Sequence, residues 1–117
     1  MAAELLKPVG RKGPDLGALL CLQETISASE WRLRSDSAQV AANYLRCHPA
    51  VAEVRYPGLT SDPDYPKASC ALRGGFGPWV WVRFPSGSDW FLFDADDAPS
   101  TEQVMALERF LGMNNPS

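Results

Sequence analysis

The spacing of apolar positions along this chain changes several times, and each change marks an element. From Asp15 onward, Leu16, Leu19, Leu20, Gln23 and Ile26 follow helical spacing, with Leu22 widening the stripe. Gly13-Pro14-Asp15 supplies a start for this helix. Proline is tolerated where no intrahelical N–H bond is needed, and an early carboxylate suits the positive end of the helix dipole. Thr25, Ser27 and Ser29 then weaken the helical signal, and Ser35-Asp36-Ser37 offers a new N-cap, so the stretch reads as one bent helix or two. Val40, Ala41, Tyr44 and Leu45 form the next apolar face, and Pro49 stops that helix just after His48.

Beyond this point the period shortens to two. Val51, Glu53 and Arg55 alternate with Ala52, Val54 and Tyr56, which predicts a short strand ending at the turn Pro57-Gly58. Thr60 to Pro66, with Pro63, Pro66 and two aspartates, calls for a loop, and Lys67 to Leu72 has room for one or two helical turns before Gly74-Gly75. Trp79 to Phe84 and Asp89 to Phe93 are rich in aromatic and β-branched residues and are joined by Pro85-Ser86-Gly87-Ser88, so they should pair as a hairpin. Ser100 followed by Gln103 is a capping-box pattern, and Val104, Leu107, Phe110 and Leu111 mark the buried side of a closing helix that Gly112 ends. The order predicts an α+β domain of two layers, with helices packed on one face of a small, mainly antiparallel sheet.

Composition narrows the functional classes. With 117 residues, 45% of them apolar, the chain reads as a flexible N-terminal arm over 1–13 followed by one small domain over 14–117. Eleven basic against fourteen acidic residues give a net charge of -3, and the basic residues are scattered, which argues against nucleic acid as a partner. No apolar run approaches the ~20 residues that span a bilayer, and the first thirteen residues lack the apolar stretch of a signal peptide. The expectation is a cytoplasmic protein with no membrane partner. Cys21, Cys47 and Cys70 are odd in number, far apart and not in CxxC spacing, as expected of reduced thiols.

Few residues invite a chemical role. His48 is the only histidine; its neighbour Cys47 points elsewhere on a helix, and a place near the helix C-terminus accounts for it. Asp94, Asp96 and Asp97 lack the spacing, central glycine and closing glutamate of a calcium loop and read as a solvated turn, so no metal site is expected. Trp79 and Trp81 alternate onto one sheet face, and with Trp90 they either pack in the core or form an aromatic patch open to a partner. These three are the candidate partner surface.

Several segments resemble a known family in order and approximate spacing. Asp15-Leu16-Gly17-Ala18-Leu19-Leu20, Ser35-Asp36-Ser37-Ala38 with Val40-Ala41, Leu45-Arg46-Cys47-His48-Pro49-Ala50-Val51 and Val54-Arg55-Tyr56-Pro57-Gly58-Leu59 come first. Ser61-Asp62-Pro63, Lys67-Ala68 and Gly75-Phe76-Gly77 follow. From Asp15 to about Phe84 the chain resembles the C-terminal small domain of the pyridoxal-phosphate-dependent enzymes of cysteine and methionine metabolism: cystathionine gamma-synthase, cystathionine lyase and methionine gamma-lyase. The resemblance implies that domain's fold and a descent from transsulfuration chemistry. In that family the Schiff-base lysine and the groups that hold the cofactor lie upstream, in the large domain. Nothing catalytic or cofactor-binding therefore carries over to a residue here, and Lys7, Lys12 and Lys67 read as solvated lysines. Past Phe84 the family's Ser-Leu-Gly-Gly segment and substrate-gripping arginine have no counterpart, and neither Arg83 nor Arg109 takes that role. The expectation is a domain that is noncatalytic alone, with two partners open to it: a second copy, or a separate chain supplying the pyridoxal-phosphate-binding large domain.

Overall fold

The computed structural model describes residues 6–9, 15–85, 87, 89–96 and 98–113. Along the chain its elements are β1 (Leu6–Val9), α1 (Leu16–Thr25), α2 (Ala28–Arg46), β2 (Glu53–Arg55), α3 (Tyr65–Ala71), β3 (Trp79–Arg83), β4 (Trp90–Asp94) and α4 (Ser100–Met113). The strands form one antiparallel sheet in the order β1-β4-β3-β2. This is the expected α+β architecture, with the predicted hairpin β3–β4 at its centre.

The helical stretch divides at Ile26–Ser27 rather than at Ser35. Asp15 caps α1 by accepting the Ala18 N–H at 3.2 Å, and Ser27 caps α2 by accepting the Glu30 N–H at 3.0 Å. Each cap satisfies a backbone donor that has no partner within its helix. Ser35 and Ser37 lie inside α2 and are buried, because their hydroxyls serve other segments. Ser35 Oγ accepts the Gly77 N–H at 3.0 Å, and Ser37 Oγ lies 3.2 Å from Ser100 Oγ. Ser100 accordingly sits within α4 and meets α2, so the predicted capping box takes another form. Gln103 turns back to accept the Asp96 N–H at 3.0 Å and to donate to the carbonyls of Ala98 and Asp96.

Ala38, Ala41, Ala42 and Leu45 carry the buried face of α2, the small side chains of the three alanines letting the helix lie close to the sheet. Val40, expected on that face, is 45% exposed because Ala38 and Ala42 hold the positions that point inward. The main core joins these residues to Val80, Val82 and Phe93 of the sheet and to Leu107 and Leu111 of α4. A smaller cluster gathers Leu19 of α1, Trp31 of α2, and Ala68 and Leu72 at α3.

Four residues of the segment expected to be a loose arm belong to the sheet. Strand β1 pairs with β4, Leu6 opposite Phe93 and Val9 opposite Trp90, and Leu6 enters the main core. The rest of that segment lies outside the described residues.

Tyr56, fully buried where β2 gives way to the Pro57-Gly58 turn, links three parts of the fold. Its hydroxyl donates to the Gly77 carbonyl at 2.9 Å and lies 3.3 Å from the Ser35 carbonyl. Burial, reinforced by the charge of Asp36, pushes the Tyr56 phenol far above its ordinary value of 10.0. A raised folded-state pKa means that the stability Tyr56 contributes is fully present below the unfolded value and lost as pH climbs towards the folded one. Above pH ~10 the unfolded chain releases this proton while the native state retains it, so stability should fall by up to about 1.4 kcal/mol per pH unit from this residue. Urea titrations between about pH 8 and about pH 11 should show a shallower decline for Tyr56→Phe, which starts lower by about 1–2 kcal/mol. Parallel declines for the two proteins would exclude Tyr56 as the cause.

Candidate partner surface

Sheet register decides which side chains share a face. Trp81 stands opposite Leu92 of β4 and Arg55 of β2, Arg83 opposite Trp90 and Glu53, and Trp79 opposite Asp94. Since Val80, Val82 and Phe93 face the helices, Trp79, Trp81 and Trp90 all lie on the other face, together with Leu92, Lys7 and Val9. The structure thus brings the three predicted tryptophans onto one surface.

They are not equally available. Trp81 is 4% exposed and Trp90 8%, whereas Trp79 is half-buried and packs against the cluster of Leu19, Trp31, Ala68 and Leu72. The Trp79 and Trp81 rings meet edge to face, centroids 6.4 Å apart at 84°, an arrangement that sets the positive edge of one ring against the negative face of the other. Trp79 is therefore the member of the set with surface left to offer.

Much of the charge around these rings is paired. Arg83 reaches Glu53 at 3.4 Å and the Gly87 carbonyl at 3.3 Å, and Asp94 accepts from Arg34 at 3.0 Å. Arg55, beside Trp81, makes two bonds to Asp62, at 2.9 and 3.2 Å, and another to Asp64 at 2.5 Å. Asp62 also accepts the backbone N–H groups of Tyr56 and Asp64, so one carboxylate gathers the end of β2 and the loop leading into α3. The hydrogen bonding of Arg55 to the Asp62 carboxylate outweighs desolvation and holds the guanidinium above its ordinary pKa.

The other chemical candidates have structural work. His48 Nδ1 accepts the Ala50 N–H at 3.0 Å, and its ring lies 5.6 Å from that of Tyr44, so the histidine shapes the turn after α2. Asp96 accepts the Ala98 N–H at 2.9 Å ahead of α4, and Asp97 lies outside the described residues. Cys21, Cys47 and Cys70 are free and exposed. Among the described residues no group of three or more His, Cys, Asp and Glu side chains is placed to hold a metal ion, and no helix is long and apolar enough to cross a membrane. A depression of about 210 Å³ between α1, the Pro57 turn and α3 is lined by Leu16, Pro57, Asp64, Lys67 and Ala68. Ligand pockets commonly occupy ~300–1,000 Å³, so this one is small.

The sequence reading missed two features. The Arg55–Asp62–Asp64 knot joins the predicted strand to a stretch read only as a loop; its signal was a pair of aspartates close behind an arginine in a strand. Leu33, Val40 and Met105 are exposed on α2 and α4, and helical spacing alone does not separate such positions from core ones.

Comparisons with known proteins agree with the fold. No family model matches the chain. Over 78 residues it is 43% identical to the cystathionine gamma-synthases of Mycobacterium tuberculosis and Mycobacterium bovis, a stretch covering 67% of this chain and 19% of theirs. Over 77 residues it is 40% identical to the chloroplastic mimosinase of Mimosa pudica, covering 66% of this chain and 15% of that protein. The chain therefore spans at most about a fifth of the length of these curated relatives. Among solved structures, the putative O-acetylhomoserine (thiol)-lyase of Campylobacter jejuni, which carries N'-pyridoxyl-lysine-5'-monophosphate, matches with a TM-score of 0.62 over 70% of this chain and 28% of its own. At 15% identity that likeness concerns the fold alone.

Proposed function

From a chain that, over two thirds of its length, is a fragment of the pyridoxal-phosphate-dependent enzyme family of cysteine and methionine metabolism, we propose that these 117 residues act by protein association and run no chemistry alone. The carrying observation is where the lysines stand. A Schiff-base lysine works as a desolvated amine held in a pocket, and both described lysines, Lys7 and Lys67, are exposed on the surface of a scaffold. The residues that match the family build helices, turns and sheet: the Asp15 cap, the Tyr56-Pro57-Gly58 turn and the glycine-rich approach to β3. The partner is a second copy or a pyridoxal-phosphate-binding large-domain chain.

Purified protein mixed with pyridoxal phosphate and reduced with borohydride should show no saturable, one-to-one pyridoxyl adduct by intact mass, and no lyase activity. A stoichiometric adduct on one lysine, accompanied by turnover, overturns the proposal.

On this reading the outer sheet face meets the partner through Trp79, whose ring is held edge to face by Trp81 beside it. Trp79→Ala should weaken association, followed by light scattering or by titration with a large-domain chain, at least about tenfold, as expected for a central aromatic anchor. Association unchanged by Trp79→Ala but abolished by Leu33→Ser would move the contact to the helical layer.

A second reading rests on the 43% identity to cystathionine gamma-synthases, of which the matched stretch makes up 19%. Here the chain is the small-domain subunit of a split pyridoxal-phosphate-dependent lyase or transferase acting on sulfur amino acids. The cofactor would then be held by the partner, and mixing the two chains should restore activity that neither has alone.

A further inference from the structure

We draw no further inference here: the strongest candidate, the exposed apolar positions Leu33, Val40 and Met105 on the outside of the α2–α4 layer, is an unpartnered helix face, and nothing in the structure shows what covers it.

Discussion

Asp62→Ala should destabilise the fold by about 3 kcal/mol, a large part of the ~5–15 kcal/mol that keeps a small domain folded. The Asp62 side chain is 1% exposed, and its two oxygens accept from Arg55 and from the backbone of Tyr56 and Asp64. Deleting the carboxylate strands two backbone donors and leaves Arg55, itself largely buried, with the more exposed Asp64 as its acidic partner. Asparagine at position 62 keeps two acceptor lone pairs but no charge, so Asp62→Asn should fall between. Asp64→Ala removes a carboxylate that is 43% exposed and should cost no more than about 1 kcal/mol. Urea denaturation of the three variants checks the ranking. Equal losses for Asp62→Ala and Asp64→Ala would show that the pairing, rather than the burial and the backbone bonds, sets the stability.

Gly75→Ala should cost on the order of 3 kcal/mol or more, through two separate effects. Gly75 has φ +139, which L side chains rarely adopt, and a methyl group there would overlap Cβ of Ser35. Ser35 cannot retreat by rotating its side chain, because Cβ is fixed to the backbone of α2. Displacing it would also break the bond between Ser35 Oγ and the Gly77 N–H. Gly74 has φ +73, but a Cβ there would come no closer than 3.9 Å to Trp31, so Gly74→Ala carries the backbone strain without the overlap. Thermal unfolding should therefore rank Gly75→Ala well below Gly74→Ala. A reversed order would mean that the segment between α3 and β3 packs differently against α2.

Residues whose partners are near in sequence declared themselves, and those whose partners are distant did not. The β3–β4 hairpin was legible because Trp79 to Phe84 and Asp89 to Phe93 suit a pleated, half-buried surface and have a short turn between them. Strand β1 was not, because Leu-Lys-Pro-Val has no period of its own and becomes a strand only when the edge of β4 is present to pair with it. The helix break followed the same logic. Ser27 and Ser35 look alike as caps along the chain, and what separates them is that Gly77, far away in sequence, takes the Ser35 hydroxyl. The shared sheet face of Trp79 and Trp81 followed from alternation, but how deeply each is buried depends on neighbours that alternation does not name. Arg55, Asp62 and Asp64 lie within ten positions of one another, yet their closeness needs the turn at Pro57-Gly58 and so appears only in three dimensions.

The position of β1 protects the molecule in a way that its four residues do not suggest. It covers the long edge of β4, where Trp90-Phe91-Leu92-Phe93 would otherwise offer unpaired backbone groups on an uncharged aromatic run. A chain clipped upstream of α1 would bare that edge, and such edges recruit strands from neighbouring molecules into insoluble stacks. Those few N-terminal residues thus bear on whether the protein stays dispersed as well as on how it folds.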